Sequence, residues 1–204
     1  PEYAVSFPLQ RELPQREVLF SSMQEFGAEL VTGGPYYRFG VKDIHNRNSV
    51  FLVRDGKLAG RYDKLRLVPF AEDDHRSWFG VSSQLPYEPG RRPHLLQASA
   101  ARLGVFLCFE AMYPDLVRSF VAQGAEVLVN PSNDDWFSDP APARHMLDIA
   151  SVRAIEQRRY LVRPTVTGFS AVVDPHGRAV ALSGFGEPAV LTAEIRPSSI
   201  QTIY

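Results

Sequence analysis

Residues 102–132 read RLGVFLCFEAMYPDLVRSFVAQGAEVLVNPS, and this stretch decides the fold class. Its first part, RLGVFLCF (102–109), is apolar without alternation, the signature of a strand buried on both faces. Pro114 suits the first turn of a helix, where a missing N–H costs nothing. Leu116, Val117, Phe120 and Val121 then recur on one helical face, and Gly124 ends the pattern. AEVLVNP (125–131) is a second buried-type strand. Strand, helix, strand in this order defines an α/β layered unit. A related pattern of helix end, glycine and short strand occurs earlier, FGAELVTGG (26–34) beside QGAEVLVNPS (123–132).

Working outward, Val18, Leu19, Met23 and Phe26 lie at helical spacing in residues 15–26, with Gly27 as the stop. A short strand is expected at 28–34, an aromatic loop at 35–46, and a hairpin over 49–64 turning at Asp55-Gly56. Residues 68–93 have no clear period and read as a long loop. Downstream, the pattern predicts a helix over 145–159 and a strand at 160–165. A hairpin over 170–182 turns near Pro175–Gly177, and a last strand covers 189–195. No low-complexity linker interrupts the chain, so residues 1–204 are expected to form one domain.

The chain has 204 residues, 45% hydrophobic, with 22 basic against 23 acidic side chains. That balance and the lack of a basic run give no electrostatic footprint for nucleic acid. A single cysteine excludes an intrachain disulfide and any multi-cysteine metal site. No apolar stretch approaches the roughly 18–20 residues of a bilayer span, and no signal-peptide pattern is visible. The start at Pro1 and the stop at SSIQTIY read as a segment of something longer, so the lack of spans here leaves the parent's membrane spans open.

The one cysteine, Cys108, stands where a buried strand gives way to a turn and a helix, the end at which open α/β sheets build their sites. A lone cysteine in an apolar strand is also an ordinary small hydrophobe. As a nucleophile it needs a base or a nearby positive charge. Glu110 breaks the apolar run two residues later; Lys64 closes the first hairpin in YDKLRLVPFAE, with Glu72 following; Glu2 stands in PEYAVSFP. A buried carboxylate can take a thiol proton and a lysine can hold an oxyanion, although each is more often a surface or salt-bridged group.

Together, PE ending at residue 2, YDK at 64, LVPFAE at 72, CFE at 108–110, NPSNDDWF and RAIEQRRYLVRPTVTGFSAVVDPHGR resemble the nitrilase superfamily of carbon–nitrogen hydrolases. Within it they are most similar to the extracytoplasmic domain of the apolipoprotein N-acyltransferases. The resemblance implies a four-layer αββα sandwich, here without the family's first strand and helix. It implies Glu2 as general base, Cys108 as the nucleophile that forms a thioester, and Lys64 as oxyanion holder, helped by the N–H after the cysteine. Glu72 would orient Lys64 and the incoming amine, and Glu110 would brace the cysteine loop. Phe109 stands where the family often has a tyrosine, Ser138 where a glycine is common and Val166 where an asparagine is frequent. The implied reaction moves an acyl chain from a phospholipid donor to the amine of a lipoprotein acceptor, with no cofactor, on the periplasmic side of a bacterial inner membrane. A cytoplasmic soluble amidase or nitrilase using the same triad is the alternative, and a non-catalytic scaffold a further one.

The two Trp-Phe pairs, Trp78-Phe79 and Trp136-Phe137, lie in long loops and could form an acyl-chain lid, touch lipid, or pin their loops to the core. AEDDH (71–75) gathers carboxylates and His75, but nothing else completes a hard-cation shell, so no metal is expected. His45, His94, His145 and His176 lack ligand spacing, and His145 reads either as a residue close to the site or as a helix start. Arg153, Arg158, Arg159 and Arg163 are expected to pair with Asp148 and Glu156 on a solvated face, phosphate binding being the other reading.

Overall fold

The computed structural model describes residues 1–39, 44–69, 71–72 and 87–204. It is a mixed α/β structure in two compact units, residues 3–92 and residues 93–204 together with Pro1 and Glu2.

In the first unit, helix α1 (Pro14–Phe26) carries Pro14 in its first turn and ends on Gly27 in the left-handed conformation. Its inward side differs from the expected one. Phe20 is buried, whereas Val18 and Phe26 are 66% and 75% exposed. Phe20 joins Val5, Leu9, Phe51 and Val53 in a core lined by Phe7, Leu19, Leu30 and Tyr36. Strands β1 (Leu30–Phe39), β2 (Ile44–Arg54) and β3 (Lys57–Asp63) form an antiparallel meander in that order. The stretch expected to be an aromatic loop is therefore strand on both sides: Pro35–Phe39 pairs with Ile44–Asn48. Pro35 is accommodated because β1 is an edge strand of this sheet, where a missing N–H is tolerated. The second hairpin turns where expected, with Asp55 and Gly56 at φ 50° and 65°, the two left-handed residues of a type I′ turn. β3 delivers Lys64 at its exit.

The second unit holds β4 (Leu96–Gln97), β5 (Arg102–Val105), α2 (Pro114–Ala122), β6 (Val127–Val129), α3 (Pro140–Gln157), β7 (Leu161–Arg163), β8 (Ala171–Val173) and β9 (Ala179–Leu182). Its six strands lie in sequence order. β5, β6 and β7 are parallel, and the other pairings are antiparallel. Helices α2 and α3 are the crossovers of the parallel core, the arrangement that parallel pairing demands. α2 buries Leu116, Val117 and Phe120. α3 begins at Pro140, upstream of His145, so His145 lies within the helix. The cap is Asp139, whose side chain accepts the Ala141 N–H at 2.7 Å.

The run RLGVFLCF leaves the regular strand at Val105, yet the ladder bonds continue. Phe106 N–H donates to the Val129 carbonyl at 3.0 Å, and Cys108 N–H to that of Pro131 at 2.8 Å. The chain then tightens into a 3₁₀ turn, Cys108–Met112. Residues 189–195 form no strand and carry no ladder pairing, and Val190 is 96% exposed. Alternation of apolar residues gives a strand only where a neighbouring edge receives it. Among the described residues, no helix is long and apolar enough to cross a membrane.

The Asp55-Gly56 turn yields a stability prediction. A Cβ on Gly56 would stand 3.2 Å from Gln24 Oε1 and 3.3 Å from the Phe20 carbonyl oxygen, on a backbone at positive φ. Gly56→Ala should cost about 1–2 kcal/mol, from left-handed strain plus displacement of α1. Urea unfolding followed by circular dichroism measures it.

Candidate active site

Cys108 occupies the first position of the turn beyond β5, at φ +46°. A non-glycine residue costs roughly 1–2 kcal/mol in that region, and the surrounding bonds hold it there. Its N–H is fixed on Pro131, and its carbonyl accepts Asn130 Nδ2 at 3.4 Å. The preceding residue, Leu107, donates its N–H to Glu110 Oε2 at 2.6 Å, and Glu110 is fully buried. A carboxylate on a backbone N–H is a charge-assisted bond, stronger than a neutral one. The sulfur is only partly buried and points toward the Asn133 carbonyl oxygen, 3.9 Å away.

Glu2 lies in the same unit and is 4% exposed. Its Oε2 accepts the Asn133 N–H at 2.9 Å, and its own N–H donates to the Ser132 carbonyl at 3.4 Å. The peptide groups of one residue, Asn133, thus face both the carboxylate and the thiol. The loop carrying it leaves the C-terminal end of β6, and the cysteine turn leaves the same end of β5. Both therefore sit at the edge where parallel sheets place their ligands.

Lys64 and Glu72 belong to the other unit. Lys64 is 1% exposed, and its Nζ lies 2.9 and 2.8 Å from the two carboxylate oxygens of Glu72. Glu72 also accepts the Val68 N–H at 2.8 Å and Asn48 Nδ2 at 3.3 Å. These bonds orient the carboxylate and leave a buried ammonium held by an oriented counter-charge. Tyr87, whose N–H donates to the Glu72 carbonyl at 3.3 Å, has its phenol pushed up chiefly by burial and stays protonated.

Phe109 is half-buried and meets Tyr113 edge-on, with ring centroids 5.8 Å apart. Trp136 is 72% exposed and Phe137 half-buried. Trp78 and Phe79 lie outside the described residues, as do residues 73–75 of the acidic run. Among the described residues no group of His, Cys, Asp and Glu side chains could hold a metal ion.

The arginines depart from expectation. Arg153 does pair with Glu156 at 2.8 Å, but both are largely buried. Asp148 pairs instead with Arg144. Arg159, 2% exposed, donates to the carbonyls of Ala125, Gln157 and Ile200. Arg163 is fully buried and ion-paired with Asp134 at 3.1 Å. The charge count of the α3 region suggested a solvated face. Arg163 instead ends a buried strand, where its charge needs an internal partner. Asn130, Asn133 and Asp134 were also missed as site residues. The available signal was a polar run, Asn-Pro-Ser-Asn-Asp, directly after the wholly buried β6.

Residues 3–204 match the carbon–nitrogen hydrolase family. The chain belongs to that family. Among curated relatives, an apolipoprotein N-acyltransferase of Geobacter metallireducens is 30% identical over the whole of this chain and 40% of its own length. A protein of the same name from Nostoc is 33% identical over all of this chain and 41% of itself. A third, from Synechocystis, is 38% identical over 77% of this chain and 32% of itself. The chain thus spans less than half the length of these relatives. Among solved structures, Saccharomyces cerevisiae Nit3, a member of branch 10 of the nitrilase superfamily, superposes with TM-score 0.69 at 24% identity, covering 92% of this chain and 66% of Nit3. A carbon–nitrogen hydrolase from Helicobacter pylori gives 0.65 at 20% identity, covering 86% and 68%. The fold of the carbon–nitrogen hydrolase chain is thus shared with structures whose sequences have diverged widely.

The Lys64–Glu72 pair separates stability from chemistry. Glu72→Ala removes the two carboxylate oxygens that Lys64 Nζ meets at 2.9 and 2.8 Å and should cost about 3–5 kcal/mol. The double variant Lys64→Met/Glu72→Leu removes both charges and should recover most of that loss. Thermal unfolding of the two variants and of the parent protein decides it.

Proposed function

We propose that this chain carries out cysteine-dependent acyl transfer from a phospholipid to the terminal amine of a diacylglyceryl lipoprotein. The observation that carries the reading is the setting of Cys108. It is a part-exposed thiol in a strained turn, in a family member whose curated relatives bear the name apolipoprotein N-acyltransferase. Glu2 takes the thiol proton. The thiolate attacks the acyl-ester carbonyl, and Lys64, with the Phe109 N–H, stabilises the oxyanion. Collapse forms the thioester as the lysophospholipid alkoxide leaves, taking the proton back from Glu2. The lipoprotein amine then adds to the thioester, gives up a proton to Glu2, and displaces the thiolate as the amide forms.

Glu72 orients Lys64 in this scheme, and Glu110 braces the turn at Leu107. No cofactor enters, because the thioester itself retains the reactivity of the acyl group. Trp136 and Phe137, with Trp78 and Phe79, supply the apolar contacts for the acyl chain and the membrane surface. The reaction belongs on the periplasmic face of a bacterial inner membrane. Preference for amine over water follows from a site closed to bulk solvent around the thioester.

The test is a trapped intermediate. The full-length protein, incubated with vesicles of phospholipid labelled in the acyl chain, should acquire label that neutral hydroxylamine releases. Cys108→Ala should acquire none, and a diacylglyceryl peptide should discharge the label as an N-acylated product. Absence of label, with hydrolysis of small amides instead, assigns the amidase reading. Absence of both leaves the scaffold.

A further inference from the structure

Glu2 and Cys108 are each fixed by backbone groups of the loop after β6, and one buried side chain stands behind that loop. Arg163, at the end of β7, is fully buried. Its Nη2 lies 3.2 and 3.1 Å from the two carboxylate oxygens of Asp134 and 3.2 Å from Ser132 Oγ. Its Nη1 donates to Asn130 Oδ1. From there two branches diverge. Asn130 passes the bond on through Nδ2 to the carbonyls of Phe106, at 2.8 Å, and Cys108, at 3.4 Å. Asp134, which also accepts Ser132 Oγ at 2.8 Å, follows Asn133 directly in the chain. Asn133 is the residue whose N–H sits on Glu2 and whose carbonyl faces the sulfur.

We infer that Arg163 and Asp134 are positioning residues, a buried ion pair that sets the peptide of Asn133 against the base and the backbone of Cys108 against its turn. The inference rests on the cysteine-nucleophile reading above and deepens it.

The surroundings argue against a role in stability alone. A Cβ on Gly168 would stand 1.9 Å from Asp134 Oδ2, so the carboxylate fills the place a side chain would take. Arg163 Nε finds no acceptor among the described residues. A buried pair with an unmatched donor is a poor stabiliser, and apolar residues of similar volume usually serve stability as well or better. What such residues cannot do is hold two loops in register by directed bonds.

The experiment follows alkylation of Cys108 by iodoacetamide in the full-length protein, read at the Cys108 peptide by mass spectrometry across pH. A carboxylate that loses an N–H donor holds its proton more tightly. In Asp134→Asn the loop is released, so the acid limb of the profile should move up by about one pH unit. The plateau rate should fall roughly tenfold, one directed hydrogen bond being of that order. A purely structural role would lower the melting temperature and leave the limb in place. Should Asp134→Asn not fold, Ser132→Ala decides the matter, because it removes one bond to Asp134 and one to Arg163 while keeping their ion pair. Its limb should move the same way by a smaller amount. An unmoved limb in whichever variant folds overturns the inference. The parent protein and Glu2→Gln separate the two levels. If the parent thiol alkylates like a free cysteine with no dependence on Glu2, the catalytic reading fails and the inference falls with it. If the parent depends on Glu2 and the loop variants leave its limb unmoved, only the positioning role is lost.

Discussion

A guanidinium without water has to find its acceptors inside the protein. At the end of β7 that requirement organises the second unit. Arg163 takes them from Asn130, Ser132 and Asp134, all on the chain leaving β6. Removing one partner of such a pair costs about 3–5 kcal/mol, a large share of a net stability of roughly 5–15 kcal/mol. The loop after β6 is therefore not free to choose its path. Ladder bonds extend past the regular strands to support it: Asn130 N–H donates to the Val162 carbonyl, and Ser132 N–H to that of Pro164. Directed bonds between buried polar groups here supply the precision that apolar packing supplies elsewhere.

The cysteine turn depends on that loop in turn. Its positive φ is sustained by Pro131 from one side and by Asn130 and Glu110 from the others. Backbone strain persists where neighbours over-determine it, and the inference then runs from observed strain toward function. A cysteine serving only to fill space would sit within β5 beside Val105 and Phe106, both fully buried. Cys108 lies just beyond them, only partly buried, where the chain turns.

The parallel core was legible because β5, α2 and β6 each satisfy pattern, capping and length together, and such agreement between levels marks a strong element. The Asp55-Gly56 hairpin was legible for a simpler reason: only a few residue types accept two consecutive left-handed positions. Residues 35–46 were not legible as strand, since whether a segment with Pro35 can pair depends on its lying at an edge, a fact of pairing rather than of local sequence. Residues 189–195 misled in the opposite direction. Among the candidate residues, Glu2, Lys64, Glu72, Cys108 and Glu110 stood out as charges or a thiol in recognisable contexts. Asn133 did not, because its contribution is a peptide group, and no side-chain chemistry announces a backbone N–H. Arg163 was visible as a charge and misread as solvated, since burial is settled by neighbours distant in the chain.

Lys64 and Glu72 pose the same physical problem as Arg163 and Asp134, in the other unit. Each is an ion pair almost wholly removed from solvent, and each acidic partner takes a further hydrogen bond, from Asn48 and the Val68 N–H in one case and from Ser132 in the other. Desolvation makes such pairs weak evidence of stabilisation. Low polarity also makes an oriented charge act more strongly on whatever charge develops beside it. A lysine meant only for stability gains little from a buried site that an apolar residue would fill with less cost. A lysine meant to meet an oxyanion gains from both features, since the counter-charge fixes its position and the dry surroundings leave its field unscreened. Under the function proposed above, burial of this ammonium serves what it would stabilise transiently, at little gain to the resting fold.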